Sequence, residues 1–186
     1  MRKLLKIIQN NFLATTIVVV YTINAFVKLR YPGVNYDEIF FGNAALGVID
    51  PSTFVEAHIH GIPILLIPYI GALKAYLYFP IFKLLGVSVA TIRIPVILIT
   101  ATTLFLLYKV AERMFNKKVG LLTIILLAFD PSFIVHTRLD FGPVVLSFFF
   151  RVLTFYLFFK YIDLKKTKYL IGMSIALSLG FFHKMD

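Results

Sequence analysis

The chain of 186 residues has no cysteine, which excludes disulfides, thiolate metal sites and a cysteine nucleophile. It has no sustained internal repeat, no low-complexity tract and no stretch polar enough to form a soluble domain. The start, Met1-Arg-Lys, runs into an apolar segment without a small-residue cleavage site, so the first segment is expected to stay as an uncleaved anchor. Acids are scarce: nine Asp and Glu stand against 19 Lys and Arg, a formal charge of +10. That surplus does not point to nucleic acid, because the basic residues fall in short clusters between apolar runs rather than along one polar face.

Apolar side chain, in contrast, is abundant. The chain is 60% hydrophobic with 20 phenylalanines and a mean hydropathy of +0.88, far more than a soluble domain of this size buries. An all-α integral membrane protein follows, a polytopic helix bundle forming a single module over 1–186. Five membrane-length runs are expected, at about 12–29, 89–110, 119–135, 142–159 and 169–182. A sixth apolar stretch, 62–85, is broken by Pro63, Pro68 and Pro80, contains Lys74 and Lys83, and is rich in tyrosine. It is expected to form interfacial helices within an outer loop over 30–88.

Five spans place Arg2, Lys3 and Lys6 on the same side as two basic loops. One loop holds Lys109, Arg113, Lys117 and Lys118, and the other Lys160, Lys165, Lys166 and Lys168. All of these are then cytoplasmic, as the positive-inside rule requires. The protein is therefore expected in the cell membrane as a multi-pass chain with its N-terminus cytoplasmic. Asp37, Glu38, His58, His60, Arg93, Arg138 and Asp140 then lie on the outer face.

Two adjacent carboxylates, Asp37 and Glu38, follow Tyr31-Pro-Gly just beyond the first run. They suit either a helix N-terminus, where acids complement the positive end, or a reaction centre at the mouth of the membrane. Within the spans, Asp130-Pro131 interrupts the third run and Arg151 lies inside the fourth, where an ionised arginine costs about 2.5–3.5 kcal/mol. Asp130 is either a cap for a new helical turn at Pro131 or a partner for Arg151 at similar depth. The second choice makes them a structural intramembrane pair.

Four ordered blocks resemble a known family. They are Tyr36-Asp37-Glu38, then His60-Gly-Ile-Pro63-Ile-Leu65, then Leu85-Gly-Val-Ser-Val-Ala-Thr-Ile-Arg93-Ile-Pro95, and finally His136-Thr-Arg138-Leu-Asp140. In this order they are similar to the polytopic GT-C glycosyltransferases that take sugars from polyprenyl-phosphate carriers, namely the protein O-mannosyltransferases and bacterial aminoarabinose-type transferases. The second block lacks the double proline and the lysine of some relatives. Lys74 either supplies that cation or snorkels from an interfacial helix.

The resemblance implies the N-terminal part of a GT-C fold, with the C-terminal remainder of a longer transferase missing. It implies an enzyme that moves a sugar from a polyprenyl-phosphate-linked donor to an acceptor, protein, lipid or glycan, on the outer face of the membrane. Asp37 is then the catalytic base and Glu38 its support; Arg93, Arg138 and Lys74 bind the donor phosphate. Asp140, with His60 and His58, is the candidate set for a divalent metal ion, which some relatives use. The four residues Asp37, Asp140, Arg93 and Arg138 are expected to line one pocket roofed by 36–50 and 62–85. A lipid or small-molecule transporter module and a non-catalytic membrane partner subunit are the alternatives, although the inverted repeats of a transporter are not seen.

Overall fold

The 62–85 stretch folds differently from the expectation. Ala57–Ile59 (β1), Ile62–Ile67 (β2) and Ile70–Gly71 (β3) form a three-stranded antiparallel sheet in the order β1-β2-β3. Only Leu73–Leu85 (α3) is helical. The cause is local: Ile59 pairs with Ile62, so His60 and Gly61 form a two-residue turn with φ of 49° and 81°. Positive φ at both positions is what a hairpin turn matched to strand twist requires. The apolar run Ile62-Pro-Ile-Leu-Leu-Ile67 then continues as a strand.

The computed structural model describes residues 11–48, 55–139 and 141–185. Besides α3, the helices are Phe12–Phe26 (α1), Tyr36–Ala45 (α2), Val89–Met114 (α4), Lys117–Phe129 (α5), Pro131–Leu139 (α6), Val144–Leu164 (α7) and Thr167–His183 (α8). The all-α membrane class holds, with the small sheet as an outer addition. Helices α4 and α7 are long and apolar enough to cross a membrane, and α5 with α6 would be a third such span if counted as one. These two meet at a 70° bend. Helices α1 and α8 are shorter, with 15 and 17 described residues.

The bend at Asp130 has a plain cause. Asp130 Oδ1 accepts from the Ser132 and Phe133 N–H groups at 2.7 and 3.2 Å, so it caps α6 as Pro131 begins a new first turn. The expected Asp130–Arg151 pair is corrected by this: the two are not joined among the ion pairs of the described residues. Arg151 instead lines a cavity of about 480 Å³ with His136, Ser147 and Lys184.

Helix α4 is the hub, packing on α1, α3, α5, α6 and α7. Its inner core is built with Ala14, Ala25, Ala101 and Ala128 around Tyr21, Leu104 and Tyr108. Small residues let backbones approach where lipid offers no hydrophobic drive between helices. A second core joins α2, the sheet, α3 and the start of α4 through Phe41, Leu66, Tyr78, Phe82 and Ile92.

These contacts sort the molecule into two ends. At one, Lys109 donates to Asn11 at 2.7 Å and Arg113 meets Asp163 at 2.8 Å. At the other, Asn35 donates to the Leu139 carbonyl at 3.1 Å. There too the sheet is docked on the end of α8: Ile70 bridges Lys184 and the Met185 N–H donates to the Tyr69 carbonyl at 3.0 Å. Gly71 permits this contact, because a Cβ there would lie 2.1 Å from the Phe182 carbonyl oxygen.

Candidate functional site

The two adjacent acids divide their work. Asn35 is the N-cap of α2, accepting from the Glu38 N–H, while Glu38 Oε2 accepts from the Asn35 N–H, both at 2.9 Å. This reciprocal box satisfies two end donors of the helix. The remaining capacity of Glu38 goes to Arg93, whose Nε and Nη2 donate to its two oxygens at 2.6 and 2.9 Å. Glu38 is 1% exposed and Arg93 is fully buried.

Arg93 is also tied to the chain leading into α2. Nη1 donates to the Leu29 and Pro32 carbonyls at 2.6 and 3.1 Å, and Nη2 to the Gly33 carbonyl at 3.0 Å. A guanidinium has five N–H donors, and all five are thereby occupied. The phosphate role expected for Arg93 is therefore closed to it; it is the residue that positions the 29–38 segment on α4.

Asp37, one residue earlier, faces the other way. It lines a cavity of about 570 Å³ between α2, the sheet and the start of α7. Tyr36, Phe40, Phe41, Ile67, Tyr69 and Ile70 form much of its wall, so both expected roofing segments contribute. Gly142 closes the facing side, its absent Cβ position lying 3.9 Å from Asp37 Oδ2.

The other expected site residues are distributed as follows. Lys74 does not snorkel: it is 1% exposed, donates to the Gly142 carbonyl at 2.7 Å and sits 3.7 Å over the Phe41 ring, behind the cavity wall. Arg138 donates from Nη1 to the Val27 carbonyl at 2.9 Å, and its buried Nε has no hydrogen-bond partner among the described residues. Neither arginine lines the Asp37 cavity. His58 and His60 are exposed on the hairpin, where His60 is a turn residue. No group of three metal-ligating side chains occurs among the described residues, and Asp140 lies outside them.

One residue of the cavity was not foreseen. Lys184 lines it as well as the neighbouring Arg151 cavity, carried there by its bridge to Ile70. Its sequence context, Phe182-His-Lys-Met185, gives no sign of this, since the juxtaposition is made entirely by tertiary packing.

A family model described as dolichyl-phosphate-mannose-protein mannosyltransferase matches residues 71–186, more than half of the chain. No curated protein and no solved structure gives a significant match. The matched segment starts at Gly71 and contains α3 to α8, so Asp37 lies before it and is tied to it by the Glu38–Arg93 pair. On that match the chain belongs to the dolichyl-phosphate-mannose-protein mannosyltransferase family, membrane glycosyltransferases of the GT-C type.

Proposed function

We propose that this chain forms the acceptor-activating part of a transferase that moves a sugar from a polyprenyl-phosphate carrier to an acceptor hydroxyl or amine on the outer face of the membrane. The observation that supports it is the division between the two acids: Glu38 is locked into the scaffold, whereas Asp37 opens onto a cavity of about 570 Å³. Such a transfer needs a base within about 3 Å of the acceptor proton and cations for the charge that develops on the leaving phosphate. Asp37 is the base. Lys184 lies on the same cavity and supplies a cation there.

The test is the source of the sugar. Membranes carrying the protein are supplied with labelled mannose linked either to polyprenyl phosphate or to a nucleotide. Label should pass to acceptor from the lipid-linked donor, and passage from the nucleotide donor alone overturns the reading.

The same proposal orients the molecule with the Asn11, Lys109 and Asp163 end cytoplasmic, which the gathering of both basic loops at that end supports. Cysteines placed at Lys117 and Lys165 in intact cells should stay unlabelled by a membrane-impermeant thiol reagent. Labelling of both would invert the orientation.

A further inference from the structure

At the end of the bundle away from Asp37, helices α4 and α7 enclose a groove of about 240 Å³. Lys109, Arg113 and Lys160 rim it, and Val110, Tyr156 and Phe159 wall it. Its two acids are already engaged. Glu112 accepts from Lys109 at 2.6 Å and from the Tyr108 hydroxyl at 2.8 Å. Asp163 accepts from Arg113 Nη2 at 2.8 Å and Nε at 3.1 Å, an ion pair that also joins the two helices.

What remains is unbalanced positive charge. Lys160 lies over the Tyr156 ring at 5.5 Å, and Lys117, Lys118, Lys165, Lys166 and Lys168 are exposed outside the groove. None of these six is in an ion pair among the described residues. The apolar part is in the groove itself, where Tyr156 and Phe159 are only partly covered on its wall. Cations at headgroup depth above an aromatic and aliphatic wall offer both halves of an amphipathic anion a place.

We infer that the α4–α7 groove is a binding site for an anionic phospholipid, its phosphate held at Lys160 and its acyl chains entering along Tyr156 and Phe159. A soluble phosphate compound shares the headgroup chemistry but has nothing to lay on the apolar wall. The site is separate from Asp37 and does not depend on the transferase reading.

The test uses the whole chain in detergent, with bound lipid counted by native mass spectrometry. Phosphatidylglycerol should be retained about tenfold more than phosphatidylcholine of the same chain length, and millimolar glycerol phosphate should not displace it. Lys160→Glu, and more mildly Lys160→Gln, should bring phosphatidylglycerol retention down to the phosphatidylcholine level. Lys168→Glu makes the same charge change outside the groove and should leave retention within about twofold. Equal retention of the two lipids, displacement by glycerol phosphate, or equal losses in the Lys160 and Lys168 variants would overturn the site.

Discussion

Asp37→Asn should lower sugar transfer by about 10²–10⁴-fold, the contribution of a positioned general base, while membrane insertion stays as in the parent protein. The substitution keeps the shape of the side chain and removes only its ability to take a proton. Asp37 is half-buried on the cavity wall and outside the capping box, so its charge serves the scaffold only by complementing the positive end of α2, about 0.3–1 kcal/mol. Transfer from the lipid-linked donor, measured with membrane levels matched, checks this. Full activity in the variant removes Asp37 from the mechanism even if the lipid-linked donor proves to be the sugar source.

Arg93→Met should have the opposite signature. It leaves Glu38 ionised and buried and strips donors from the Leu29, Pro32 and Gly33 carbonyls. Breaking a buried pair from one side costs about 3–5 kcal/mol, roughly 6–20 °C in melting temperature for a chain of this size. Removing both charges, as Glu38→Gln with Arg93→Met, should recover part of that loss, because the uncompensated buried carboxylate disappears. Thermal unfolding in detergent measures both variants. An unchanged melting temperature in Arg93→Met would mean that the pair does not hold the 29–38 segment in place.

The helical membrane class was legible because apolar runs separated by basic loops leave few other folds open, and α4, α7 and the bend at Asp130-Pro131 follow from those runs and from one cap. The sheet is hidden for a local reason: the three prolines and the tyrosines of 62–85 suit interfacial helices, whereas the turn signal is just ahead of them in His60-Gly61. The acid pair was half legible. Asn35 three residues before Glu38 is a capping-box spacing, and it identifies which acid the scaffold uses. That Arg93 would be saturated by five acceptors was not readable, since three of them are backbone carbonyls brought together only by the fold. The same holds for Lys184, which reaches the Asp37 cavity through strand pairing between segments distant in sequence.

That pairing has a temporal side. Asp37 is made early and Lys184 roughly 150 residues later, which at ribosomal rates of about 5–20 residues per second is an interval of roughly 8–30 s. From the completion of β3 at Gly71, roughly 110 residues before Lys184, the hairpin has no α8 to dock on, and its edge strand β3 is open to whatever lies beside it. A newly made chain therefore has Asp37 long before it has the wall that encloses it. Gly71 lets the late-arriving Phe182 seat without collision, and that seating finishes the chamber.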